Sequence, residues 1–105
     1  MIIYNTTFHV SDDVEKMFLD YIRLQHVPMA VADGIMSNPV LTRVMGSGHD
    51  GGTSYALQLQ AESVKELQKW CLGTGKKLSA RITTHFGSSV AGFTTMMDVI
   101  DIKAK

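Results

Sequence analysis

The sequence predicts an α+β fold of the ferredoxin-like kind, with elements in the order β-α-β-β-α-β. Three observations predict it. An alternating strand at 2–10 leads into an amphipathic helix. Two further strands flank a Gly-rich stretch at 46–52. A second helical stretch then runs into a last apolar strand from Val90. Such an order closes a four-stranded antiparallel sheet with both helices on one face.

Each element has its own signal. Ile2, Tyr4, Thr6, Phe8 and Val10 share one strand face, and Ile3, Asn5, Thr7 and His9 share the other. Asp12 with Glu15 reads as a capping box for the first helix. Val14, Met17, Phe18, Tyr21, Ile22 and Gln25 then follow helical spacing. Pro28 is expected to end or bend this helix near Val27. Ala30 to Ala32 extend it by a further turn before the stop at Asp33-Gly34. Ser37-Asn38-Pro39 reads as a loop, and Val40 to Met45 as a strand.

Thr53 to Gln60 is the next strand, with Tyr55, Leu57 and Leu59 on one face. Across the Gly46–Gly52 turn it makes a hairpin with its predecessor. Ser63 and Glu66 form a second capping box. Val64, Leu67, Trp70 and Cys71 follow at helical spacing until Gly73-Thr74-Gly75 breaks the pattern. Leu78, Ile82, His85 and Phe86 resume it, so two helical pieces with a break are expected before Gly87. The last strand, Val90 to Ile102, is apolar on both faces. A sheet whose outer strands are apolar on both sides needs cover on its second face. The simplest cover is a second copy, so a homodimer through the sheet face is expected.

Composition narrows the function classes. At 105 residues the chain reads as one domain over residues 1–105, and 45% hydrophobic residues are enough for a core. Ten basic and ten acidic residues balance. No cationic stripe of the kind nucleic acids need is present. Tyr4, Phe8 and Tyr55 suggest the stacking platform of RNA-binding sheets, but Thr53 to Gln60 has no basic residue to go with them. No apolar run reaches membrane-spanning length. The start lacks the charged region of a signal peptide, and Cys71 is the single cysteine, so a cytoplasmic location is expected. The four His and Cys71 show no metal-ligand spacing. The seven Met read as core filler.

Several pieces together resemble a known family. They are the opening MIIYNTTFHV, the helix carrying His26-Val27-Pro28, the segment Pro39 to Met45, the strand Ser54-Tyr55-Ala56-Leu57-Gln58, and Phe86-Gly87. They resemble a family of small bacterial proteins of unknown function found mainly in Bacteroides-like bacteria. More distantly, the chain is similar to the dimeric α+β barrels of the antibiotic-biosynthesis-monooxygenase kind, which include cofactor-free and haem-degrading enzymes. That resemblance implies candidate catalytic residues. Haem-degrading members use an Asn from the first strand and a Trp and a His from the second helical region, which here correspond to Asn5, Trp70 and His85. His26, near the end of the first helix, is a candidate pocket base. The Gly break between Trp70 and His85 departs from the haem-degrading pattern. Ordinary roles account for all four: a strand amide, a core anchor, a helix-terminal imidazole and a packing histidine.

Gly46–Gly52 lacks the Lys-Ser/Thr ending of a phosphate cradle, so it reads as a hairpin tip. Asp12 and Asp13 suit a helix start without any chemistry. Cys71 reads as an inert thiol. The reading that best fits is a non-enzymatic dimeric module holding a small apolar ligand between sheet and helices, with no cofactor and no metal. The alternative is a monooxygenase-like enzyme acting on an aromatic or polycyclic substrate in the same space. The haem-degrading version is the weakest form of it.

Overall fold

The computed structural model describes residues 1–46, 48 and 51–103. Its strands are β1 (Ile2–Ser11), β2 (Ser37–Arg43), β3 (Gly52–Ala61) and β4 (Val90–Asp98). They form one antiparallel sheet in the order β2-β3-β1-β4. The helical segments are α1 (Glu15–Tyr21), α2 (Val27–Val31), α3 (Val64–Trp70) and α4 (Lys76–Phe86). This is the expected β-α-β-β-α-β arrangement, with both helical runs on one face.

Register explains which residues meet the helices. Tyr4 pairs with Leu59 and Met96, and Phe8 with Tyr55 and Gly92. Even positions of β1 and β4 therefore share a face with odd positions of β3. That face is mainly apolar; the helices cover it over β1 and β3, while on β4 only Val90 is buried. Two buried clusters result. One gathers Phe8, Val10, Phe18, Tyr21, Ile22, Tyr55, Leu57, Ile82, Phe86 and Val90. The other holds Ile2, Ala30, Met36, Leu59, Ala61, Leu67, Trp70 and Leu78. Phe18 and Ile22 are wholly buried, which stabilises the fold by roughly 1.5–3 kcal/mol for each side chain.

Four local expectations are corrected. Pro28 does not end the first helix. The chain passes from α1 through a wide π-turn at Ile22–His26 into α2, with Pro28 in the first turn of α2. A proline clashes with the carbonyl four residues earlier and cannot donate to it, and the wide turn absorbs that mismatch. Gly73-Thr74-Gly75 does not break the second helix either. It lies in a second π-turn, Cys71–Gly75, and the helix continues into α4. Ser37-Asn38-Pro39 belongs to β2 as an irregular start, with a register shift between Ser37 and Val40 and Asn38 at φ 52. β4 stops at Asp98 rather than Ile102, because Ile2, the partner of Asp98, is the first residue of β1. One more bond, from Val99 N to Met1 O at 3.0 Å, closes that end.

The two capping boxes part company. The Ser63 hydroxyl accepts from Glu66 N at 3.2 Å, as its spacing predicts. Asp12–Val14 forms a 3-10 turn with no side-chain cap. Glu15 instead accepts a hydrogen bond from the Tyr55 hydroxyl, tying α1 to β3. Burial is the larger cause, and that bond the next, of a Tyr55 pKa above its ordinary value.

Candidate functional site

A cavity of about 200 Å³ lies between the two buried clusters. Tyr4, Thr6 and Phe8 from β1 and Leu57 and Leu59 from β3 form its sheet wall. Val90, Gly92 and Thr94 line it from β4, and Leu78, Ser79, Ile82 and Thr83 from α4. Both π-turns reach it, through His26 and through Gly75, and Trp70 stands beside the second.

Trp70 is fixed from three sides. Its Nε1 donates to Ala30 O at 2.8 Å across the two helical runs. Its ring meets Tyr4 edge-on at 5.1 Å. A Cβ on Gly75 would stand 2.6 Å from the indole, so only glycine lets the π-turn close over that ring. Gly92 has a similar part on β4: a Cβ there would come within 3.1 Å of the Phe8 ring.

His26 is the one buried polar residue among those described, at 7% exposure. Its ring packs near Phe8 at 6.2 Å and Tyr21 at 6.3 Å. Its Nδ1 is buried and has no hydrogen-bond partner. Burial lowers its pKa from 6.5 to about 4. The imidazole is therefore neutral at pH 7, with both a donor and an acceptor to offer.

The structure brings together two of the four residues singled out from sequence. Trp70 and His26 line the cavity. Asn5 does not, because odd positions of β1 face away from the helices. Its Nδ2 donates to Thr7 Oγ1 at 3.2 Å on that opposite face. His85 stacks on Tyr21 at 4.7 Å and lines a separate groove with Met17, Asp20, Leu24 and Gln25. The haem-type constellation is therefore not assembled. Size agrees: a cavity of about 150 Å³ holds one benzene, whereas a porphyrin joins four pyrrole rings. The residues present do not fit that group.

Other candidates fall outside the cavity. Tyr4, Phe8 and Tyr55 point toward the helices, so they offer no stacking platform on the open face. The His49 position lies outside the described residues, as do Ser47 and Asp50 of the Gly-rich stretch. Cys71 is half-buried, which pushes its thiol pKa up. No three His, Cys, Asp or Glu among the described residues gather to hold a metal ion. No helix among them is long and apolar enough to cross a membrane.

Sequence reasoning missed Thr6, Thr94, Gly75 and Gly92. A signal was present for Thr6, a hydroxyl set among Ile2, Tyr4, Phe8 and Val10 on a core-facing row. Gly75 was visible only as an interruption.

The sequence matches the DUF4286 family, described as a domain of unknown function, over residues 1–100. The chain belongs to the DUF4286 family. No curated protein matches it in sequence. Solved structures similar to this DUF4286 chain share its fold. An antibiotic biosynthesis monooxygenase superposes with a TM-score of 0.67 at 12% identity, covering 96% of this chain and 100% of that one. A dimeric ferredoxin-like protein from an uncultured marine organism gives 0.66 at 9% identity, with 100% of each chain covered. A MhuD variant with two manganese protoporphyrin IX bound per active site gives 0.66 at 15% identity, covering 99% and 100%.

Proposed function

We propose that this DUF4286 chain binds a small, mainly apolar molecule in the cavity between sheet and helices, and that it works as a homodimer joined through the open face of the sheet. The observation that carries the binding reading is the cavity itself. Space of about 200 Å³ lies between two well-packed clusters, lined by aromatic and aliphatic side chains together with Thr6, Ser79, Thr83 and Thr94. Close packing is the rule in protein interiors, and space of this size takes a single substituted ring.

Toluene is a suitable probe. Titrated against the protein and followed by amide NMR shifts, it is expected to perturb β1, β3 and α4 together. A Gly92→Leu variant, which fills the space, abolishes the effect. Absence of any perturbation at millimolar toluene refutes the reading.

The dimer reading rests on the open face. Phe93 is 65% exposed there, beside Thr7 in register, and Met97 and Val40 lie on the same side. Apolar area spread over neighbouring strands favours association, and the marine ferredoxin-like neighbour is described as dimeric. Sedimentation at micromolar protein is expected to give twice the 11.6 kDa chain mass.

A second reading has one observation in its favour. A buried imidazole beside a ring-sized space stands where a base would act on an aromatic substrate, and one neighbour is named a monooxygenase. Oxygen uptake in the presence of hydroxylated aromatics separates this enzyme from a binding module. No uptake with any of them leaves the binding module.

A further inference from the structure

We propose that His26 is the recognition group of the cavity, its imidazole hydrogen-bonding the hydroxyl or N–H of a neutral, ring-sized ligand. This rests on the binding reading above and names the chemistry of what is bound.

Four observations converge. The first is an unmet bond. His26 is 7% exposed, it lines the cavity, and its Nδ1 has no partner. An unsatisfied buried nitrogen carries the full cost of its lost hydration. A turn of the ring that brings this nitrogen to the cavity surface lets a ligand supply the missing bond and recover that cost.

The second is that the threonine hydroxyls around the same space are already engaged. Thr6 and Thr94 hydroxyls lie 3.4 Å apart and bond to each other. The Thr83 hydroxyl donates to Ser79 O at 3.4 Å. These groups offer a ligand less than His26 does.

The third is the absence of charge. The lining includes no Lys, Arg, Asp or Glu. A carboxylate or phosphate has no counter-ion in this space, and an ammonium has none either. With its pKa lowered to about 4, the imidazole is itself uncharged at neutral pH. The cavity therefore selects neutral molecules.

The fourth is placement. His26 closes the π-turn in which Ile22 is also buried. A regular helix advances about 100° per residue, and one extra residue in the turn re-aims the side chains beyond it. Wide turns of this kind recur at functional sites. Here the turn sets an imidazole into an otherwise apolar core.

The test compares toluene with p-cresol, which differs from it by one hydroxyl. Binding to the wild-type protein is measured by calorimetry. p-Cresol is expected to bind at least ten-fold more tightly. In His26→Leu the two are expected to bind equally, and His26→Gln, which keeps an acceptor, retains part of the preference. The imidazole ¹⁵N resonances of His26 in the wild-type protein give a readout free of folding defects: they shift with p-cresol and not with toluene. Equal binding of both probes to the wild type overturns the role of His26 while leaving the cavity reading intact. So does a preference that survives in a folded His26→Leu, or ¹⁵N resonances that p-cresol leaves in place. If neither probe binds, the cavity reading and this inference fall together.

Discussion

The two faces of the sheet differ in apolar content and in fate: Tyr4, Phe8, Tyr55, Leu57 and Leu59 crowd one, while Asn5, Thr7, Gln58 and Gln60 stand among Ile3, Phe93 and Met97 on the other. On β1, Tyr4 and Phe8 turn toward the helices, while Ile3, Asn5 and Thr7 turn away. On β4 only Val90 is buried; Met96 on the helix side stands exposed, as do Phe93 and Met97 on the far side. The covered face is divided by a cavity. The open face has no such division and, among the described residues, no helix over it. An apolar strand face thus tells that water is disfavoured there. It does not tell whether helices, a ligand or a second copy will displace the water.

Substitutions can sharpen this contrast. The largest expected effect lies on the covered face. Trp70→Ala removes the bond to Ala30 and the edge contact with Tyr4. It is expected to cost about 3–5 kcal/mol in urea unfolding, as large aromatic truncations do. A loss below about 1 kcal/mol would mean that Trp70 does not join the two helical runs.

His26 gives the covered face a dependence on acidity. Its folded pKa of about 4 lies below the ordinary 6.5. Between those values the unfolded chain binds a proton that the native chain refuses. Stability therefore rises with pH across that window and levels off above it. The full change is about 3 kcal/mol. Urea midpoints from pH 4 to 7.5 should show the slope in the wild type and lose it in His26→Leu. A slope that persists in the variant must come from other groups.

Gly75→Ala places a methyl 2.6 Å from the Trp70 ring. Overpacking of that kind costs about 1–3 kcal/mol. The change should also weaken toluene binding, since the indole has to shift into the cavity. Stability unchanged within error would show that the π-turn relaxes freely.

The smallest effect on the subunit belongs to the open face. Phe93→Glu is expected to alter its stability by no more than about 0.5 kcal/mol, yet to halve the sedimenting mass. A wild type that sediments as a single chain, or a variant that remains double, breaks the dimer proposal.

How much of this was legible before the structure depends on the range of the interaction. Alternation in β1 and β3 and the Ser63 cap are local, and each was readable from neighbours in sequence. Pro28 and Gly73-Thr74-Gly75 were visible as disturbances, but local signals do not say that a helix re-forms beyond them. Glu15 had the spacing of a cap and instead pairs with Tyr55 on a distant strand. The length of β4 depends on where β1 begins. Of the candidate site, His26 and Trp70 were singled out, and a pocket shared by Trp70, Asn5 and one of His26 or His85 was expected; the choice of His26 was not legible, because it takes both π-turns to aim it and Trp70 at one space. Asn5 was placed on the correct strand face by alternation alone; only the helices' side told that this face was not the cavity's.

The rims of the sheet differ as well. β2 is guarded by its bulge, by Pro39, which lacks an N–H, and by Arg43. β4 has a neighbour on one side only, and from Val90 to Met97 it contains neither proline nor charge. Backbone groups along such a rim template the addition of further strands. Asp98 is the first side chain able to repel them. Acid that protonates His26 loosens the interior while this rim stays open to added strands. Heating under those conditions will give aggregation where neutral solution gives reversible melting.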